Sequence, residues 1–363
     1  MRAPLYITDT APGGGKTVLT LGLVSELGST FDSVGFIKPV GLARVRAGHD
    51  GIDIDAMLID KVCQTRANIK DMSPLTVSRS IWPKVSADEA ERMMQKIQAS
   101  FAAVSEGKDV VVVEGTGHAA LGTCLGLSNA RVAKTLGTQV LLAAAYQDLE
   151  RNALDTIELN RGYFESHGVP VLGAVVNRVP LDQLDSYREY ATGKFEEMGV
   201  RLFGCIPEEP ALNTFHFLQV SESLDGEMLC GESKAERLIR SVRVGAMVPH
   251  RAIEYFQRDC LVITPGDRED VIVTACASAS QEGGGPSGMV LSGGIRPHAR
   301  IVDLLRASGM PIFLAREDSY TVASKIHDMP LRIQPNDGEK ISRVQSLVSS
   351  HVEVDGIVAA LEG

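Results

Sequence analysis

Along the first two hundred residues, short apolar runs without polar alternation recur, each followed by a longer stretch of helical periodicity. Strands buried on both faces read as continuous hydrophobic runs, so this rhythm predicts an α/β fold with a mostly parallel sheet wrapped by helices. The first strand is expected at Leu5–Thr8, its helix at Val18–Leu27, and a second strand at Val34–Val40, broken by Pro39 near its end. Ser86-Ala87-Asp88-Glu89 is a capping box, and Met93, Met94, Ile97, Phe101 and Val104 share one face of the helix it opens, which runs to about Glu106. Asp109–Glu114 (DVVVVE), Gln139–Ala145 and Leu172–Asn177 read as buried strands, with helices around Leu149–Ser166 and Leu181–Met198. A last short strand, Leu202–Ile206, runs into Pro207 and the polar stretch Glu208–Thr214, which marks a domain edge. The expected division is therefore 1–212 and 213–363. In the second part, strands at Cys260–Thr264, Gly288–Leu291 and Pro311–Ala315 alternate with helices at Arg268–Ser278, Pro297–Ser308 and Ser319–His327. Gln281–Ser287 reads as a glycine-rich surface turn.

Composition narrows the class. At 363 residues the chain exceeds what one core usually supports, consistent with two domains. A hydrophobic content of 44% with 23% charged residues describes a globular protein rather than a disordered one. The net charge of −10 argues against a nucleic-acid partner. No apolar run reaches membrane length and no signal-peptide pattern precedes Leu5, so no membrane partner is expected. Cys63, Cys124, Cys205, Cys230, Cys260 and Cys276 are scattered without C-x-x-C or Cys/His pairing, which predicts reduced thiols and a cytoplasmic setting.

The first candidate for chemistry lies between the first strand and its helix. Gly13-Gly14-Gly15-Lys16-Thr17-Val18 follows the apolar run after the short segment Asp9–Pro12. Backbone N–H groups of such a loop converge on an anion, and a lysine there adds a point charge at the β/γ-phosphates. Thr17 places a hydroxyl where Mg²⁺ sits beside them. The strict G-x-x-x-x-G-K-[ST] pattern would put glycine at Thr10, the one departure.

In an open parallel sheet, ligands lie beyond the carboxyl ends of the strands. Lys16, Thr17, Lys38, Asp53, Asp55 and Glu114 collect there by that rule, and Asn177 ends a further strand. Lys38 is the candidate for neutralising charge on a transferring phosphoryl group or an incoming carboxylate, and the carboxylates suit a hard cation. Lys38 reads equally as a solvated strand cap, and Asp53 and Asp55 equally as the start of a helix. Glu114 is harder to dismiss, because a carboxylate ending a buried strand is costly without a cationic partner. His118 reads as a general base or a structural hydrogen bonder, and Asn177 as an adenine reader.

These residues resemble the dethiobiotin synthetase family of P-loop ATP-dependent ligases. The match runs through GGGKT (Gly13–Thr17), GFIKPVG (Gly35–Gly41), Asp55-Ala56, VVVEGTG (Val111–Gly117), VVNRV (Val175–Val179) and the GCIP turn (Gly204–Pro207). The resemblance implies ATP and Mg²⁺ as cofactors. Lys16 and Thr17 would hold phosphate and metal, and Asp55 and Glu114 would complete the metal shell. Lys38 would face the carbamate chemistry, and Asn177 would recognise adenine. The family's T-D-T-x-x-G-K-T would place Asp where this chain has Ala11; Thr8-Asp9-Thr10 lies two residues out of register. A homodimer is also implied.

The whole chain is similar to the N-terminal half of long bacterial phosphate acetyltransferases, where such a domain precedes a DRTGG domain. LVITPGDRED (Leu261–Asp270), VLSGGIRP (Val290–Pro297) and LAREDSYTVASKIH (Leu314–His327) carry that likeness. The chain stops where an acetyl-transferring domain would begin, so phosphotransacetylase activity is not expected. Proteins of this kind also resemble cobyrinic acid a,c-diamide synthases, although no glutaminase Cys–His arrangement is present. Asp267–Asp270 with Gly293, Gly294 and Arg296 read either as an effector site or as helix caps and turns. Two functions follow: an ATP-dependent ligase activating a carboxylate or carbamate for attack by an amine, or a nucleotide-responsive regulatory or interaction protein.

Overall fold

The computed structural model describes residues 3–42, 51–77, 85–146, 152–279, 284–329 and 333–362. Two compact units result: Met1–Glu209 together with Ile333–Gly363, and Pro210–Arg332. Among the described residues, no helix is long and apolar enough to cross a membrane.

The first unit is built on β1 (Leu5–Asp9), α1 (Lys16–Thr30), β2 (Val34–Ile37), β3 (Val40–Leu42), α2 (Ile54–Cys63), α3 (Ile69–Met72), β4 (Leu75–Val77) and α4 (Ala87–Ser105). Then follow β5 (Val110–Glu114), α5 (Asn129–Leu136), β6 (Gln139–Ala145), α6 (Ala153–Ser166), β7 (Val171–Val179), α7 (Leu184–Glu197) and β8 (Leu202–Pro207). Six strands form one sheet in the order β2-β5-β1-β6-β7-β8, and every neighbouring pair is parallel. All five residues of β1 and of β5 are buried, the signature of strands covered on both faces. The chain leaves β1 toward one edge and β5 toward the other, so a crevice opens between their carboxyl ends, where Ile7 pairs with Glu114.

One expectation is corrected here. The strand at Val34–Val40 is two strands: β2 ends at Ile37, the Lys38 N–H turns to Met72 O at 2.8 Å, and β3 pairs with β4 in a separate ribbon. Proline fixes φ and offers no N–H, so Pro39 ends the first ladder. Helix α6 begins at Ala153, and residues 149–151 of its expected span lie outside the described residues.

The second unit contains β9 (Phe215–His216), α8 (Phe217–Ser223), β10 (Gly226–Cys230), β11 (Leu238–Ile239), β12 (Ser241–Val244), α9 (Pro249–Ala252), β13 (Cys260–Pro265) and α10 (Glu269–Ala279). It continues through β14 (Gly288–Ser292), α11 (Ala299–Ser308), β15 (Ile312–Ala315) and α12 (Ser319–His327). Its sheet runs β10-β15-β14-β13-β12, parallel except for β10, while β9 and β11 form a short ribbon. Alternation along the strands divides its core in two. Val262, Met289 and Ile312 pack with Ile272 of α10 and Leu305 of α11. Ile263, Val290 and Phe313 pack with Val220 of α8 and Val322 of α12. Of the expected turn Gln281–Ser287, residues 281–283 lie outside the described residues.

The expected second domain, 213–363, ends too late. The last two helices, α13 (Gly338–His351) and α14 (Val354–Glu362), belong to the first unit. Helix α13 buries Ile341, Val344 and Val348, an apolar stripe that needs a covered face. Helix α1 supplies it at Gly22, where an added Cβ would stand 2.3 Å from the Cβ of Val348. The segment also covers the exposed edge of β8, with the Glu353 N–H donating to Phe203 O at 2.8 Å.

Candidate functional site

The loop after β1 turns sharply into α1. Gly15 caps the helix at φ 100°, and a Cβ there would lie 1.9 Å from Asn177 Nδ2. Only glycine meets both demands. Gly13, Gly14 and Gly15 thus precede Lys16, Thr17 and Val18, the first turn of a helix with no side-chain cap at its N-terminus. The positive end of the helix dipole lies at this turn, beside the crevice between β1 and β5.

Lys16 is held at both of its donors by one carboxylate. Its backbone N–H donates to Asp9 Oδ1 at 2.9 Å, and its Nζ donates to Oδ2 at 3.0 Å. Burial is the largest influence on Lys16 and opposes its charge, but Asp9, Glu114 and Asp55 together raise its pKa above the ordinary lysine value. Asp9 lies two residues out of register with the family's motif, yet it is the residue that engages Lys16. The signal that marks it is the one that marks Glu114, a carboxylate at the end of a fully buried strand.

The second lysine sits deeper. Lys38 Nζ donates to Glu114 Oε1 at 2.9 Å and to Asp55 Oδ2, and lies 3.3 Å from Asp53 Oδ1. It is buried, and so are its three partners. Desolvation disfavours its charge, yet Asp55, Glu114 and Asp53 together hold its pKa well above normal. The solvated-cap reading of Lys38 is thereby corrected. Asp53 takes the helix-start role, its carboxylate capping α2 by accepting the Asp55 N–H at 2.9 Å, and it also faces Lys38.

Glu114 joins the two halves. The Thr17 hydroxyl donates to its Oε1 at 3.4 Å, whereas its Oε2 is buried with no hydrogen-bond partner among the described residues. Burial pushes its pKa up to about 7 against the pull of Lys38. An orphaned buried carboxylate oxygen beside a threonine hydroxyl is a hard-oxygen corner. Among the described residues no group of three or more His, Cys, Asp or Glu side chains forms a ready-made metal cage. Thr17, Asp55 and Glu114 nonetheless suit Mg²⁺, which takes one or two carboxylates and fills its other positions with phosphate oxygens and water.

Further residues hold these loops. Asn177 Nδ2 reaches Gly14 O at 3.5 Å and its Oδ1 accepts the Arg178 N–H at 2.9 Å, so both ends of the amide are engaged at the loop. Asn129 accepts from the Tyr6 hydroxyl at 2.7 Å and donates to Thr116 O and His118 O; His118 thus enters through its carbonyl. Asn160 donates to Thr10 O at 3.0 Å and accepts the Ala119 N–H at 2.8 Å, bridging the loops after β1 and β5. Sequence reasoning missed Asn129 and Asn160, because a buried asparagine inside a helix has no local pattern to announce it.

A parallel sheet with a glycine loop and lysine at the first strand–helix turn defines a P-loop α/β protein. Residues 3–215 match the model of the AAA domain family, and the chain belongs to that family. Residues 219–329 match the DRTGG domain, and the returning segment 333–362 lies outside both matches. Curated relatives include phosphate acetyltransferase of Pseudomonas putida, 28% identical over 96% of this chain and 50% of its own length. That of Nitrosomonas europaea is 26% identical over 97% of this chain and 51% of its own length. The chain spans about half the length of these relatives, corresponding to their N-terminal half. Among solved structures, the MinC:MinD cell division complex of Aquifex aeolicus is 18% identical with a TM-score of 0.34, covering 58% of this chain and 84% of that one. The CBS and DRTGG domains of Clostridium perfringens pyrophosphatase, complexed with diadenosine tetraphosphate, give 14% and a TM-score of 0.27, covering 44% and 81%. Both likenesses are too distant to add to the strand orders.

Proposed function

We propose that this protein binds Mg-ATP at the loop Gly13–Val18 and uses occupancy of that site to regulate a partner or activity. The observation that supports it most is the meeting of four groups at one crevice: the Lys16 N–H, the Lys16 ammonium, the Thr17 hydroxyl and the unpartnered Glu114 Oε2. Phosphate oxygens would take the donors that Asp9 now engages, and Asp9 would be exchanged for them. Thr17, Asp55 and Glu114 would hold Mg²⁺, which supplies charge neutralisation to the phosphates when bound. Lys38 fixes the carboxylates in place and is itself neutralised by them, which favours a positioning role over direct substrate contact. The match of 219–329 to the DRTGG domain supports the regulatory element.

The second reading is a dethiobiotin synthetase-like ligase, favoured by the retained set Lys16, Thr17, Lys38, Asp55 and Glu114. Lys16 and Lys38 would then stabilise phosphoryl transfer to a carboxylate or carbamate. Phosphate release separates the two: a ligase turns over only with its amine, whereas a switch shows slow release that candidate amines leave unchanged. A homodimer, through the resemblance, and a cytoplasmic setting, through the scattered cysteines, belong to the proposal, and light scattering and cell fractionation test them. Equilibrium dialysis with labelled ATP, with and without EDTA, tests the shared premise; ATP retained equally in both conditions would remove magnesium from it.

A further inference from the structure

Arg178 stands one residue beyond Asn177 in β7, and its backbone takes φ 62°, a left-handed conformation unusual for a side chain of its size. The register between β7 and β8 shifts between Val176 and Val179, so Arg178 lies in a local irregularity of the ladder. Such irregularities re-aim side chains, and they are frequent beside active sites. Asn177 Oδ1 closes the turn by accepting the Arg178 N–H. The result brings the guanidinium to the phosphate loop: Arg178 Nη1 lies 3.8 Å from where a Cβ on Gly13 would stand.

Among the described residues, no ion pair or side-chain hydrogen bond engages this guanidinium. Four arginines of the unit are paired, Arg131 with Glu91, Arg161 with Glu158, Arg201 with Glu353 and Arg343 with Glu339. The exposed Arg66 and Arg92, like Arg178, carry no ion pair among the described residues but are not brought to the phosphate loop by a ladder irregularity. Arg178 is exposed, so its guanidinium is open to a ligand from solvent. Its planar fork matches phosphate oxygens two at a time. The geometry points to Arg178 as a third cation for the polyphosphate tail, gripping it at the Gly13 side of the loop while Lys16 grips it from the helix. This rests on the proposed nucleotide site and adds a residue to it.

The test compares binding of Mg-ATP and of inorganic tripolyphosphate to the full chain, to three variants of Arg178 and to Lys16→Ala. Arg178→Ala should weaken both ligands about tenfold, the scale of one charge-assisted contact. Arg178→Gly removes the same side chain while accepting the left-handed backbone, and should weaken them equally. Arg178→Lys should recover part of the loss. Parental affinity in Arg178→Ala would overturn the assignment, and parental affinity in Arg178→Gly would trace the effect to the backbone instead. If the parent binds neither ligand, the nucleotide site itself falls along with Arg178; if the parent binds and Lys16→Ala does not, only the arginine is in question.

Discussion

Both units place loops beyond the carboxyl ends of parallel strands, yet they treat charge there in opposite ways. In the first, Lys38, Asp53, Asp55 and Glu114 are buried together after β2 and β5. In the second, the corresponding charges stay in solvent: Arg268 and Asp270 pair at 2.9 Å with side chains 34% and 45% exposed, and Arg296 meets Glu227 at 3.5 Å with both more than half exposed. Taking ions out of water costs several kcal/mol each. A fold that bears this cost at a crevice has a use for fixed charge, whereas exposed pairs of the second kind contribute little.

The largest expected effect breaks the comparison directly. Lys38→Met leaves three carboxylates buried without their cation, which should cost about 3–5 kcal/mol of stability. Arg268→Ala should leave the thermal midpoint unchanged within error. Equal midpoints for both variants would dissolve the contrast between the units.

Next in size is Lys16→Ala, which removes a charge-assisted contact worth about 1.5–3 kcal/mol, or roughly 10- to 150-fold in nucleotide affinity. Gly22→Ala tests the return of α13. Overpacking against Val348 costs about 1–3 kcal/mol, more than the ~1 kcal/mol that alanine gains in helix propensity. Chemical denaturation should show a net loss that Val348→Ala relieves in the double variant.

A smaller effect, of opposite sign, is expected at Asp9. Asp9→Asn weakens the grip on Lys16 and should tighten Mg-ATP binding roughly three- to tenfold, the scale of ~1 kcal/mol for an exchanged hydrogen bond. Weaker binding would mean that Asp9 orders the loop rather than competing for it.

The smallest effect concerns pH. Burial, with Arg188 nearby, lowers the pKa of His351 below its ordinary 6.5. The unfolded chain therefore takes up the proton first as pH falls through 6.5, and stability is lost there. His351→Gln should flatten that part of the stability profile, and an unchanged slope would clear His351 of it.

Much of this was legible in the sequence, for identifiable reasons. Uninterrupted apolar runs such as DVVVVE announced the buried strands, and the glycine loop before Lys16 announced the anion cradle, because both are local patterns. What stayed hidden depends on partners far apart in sequence. Nothing near Lys38 says that Asp55 and Glu114 will enclose it, and the short strands β10 and β12 take their places from pairing with β15 and β13. The apolar stripe of α13 was present in the sequence, but its cover, Gly22, lies more than three hundred residues earlier. The domain boundary was missed for that reason.

The central claim is that the loop Gly13–Val18 grips the phosphates of a nucleotide. Titration calorimetry of the intact chain with Mg-ATP tests it most directly. The account predicts saturable binding of about one nucleotide per chain, weakened at least tenfold in a folded Lys16→Ala variant. Absence of saturation in the parent, or equal affinity in the two, would contradict it.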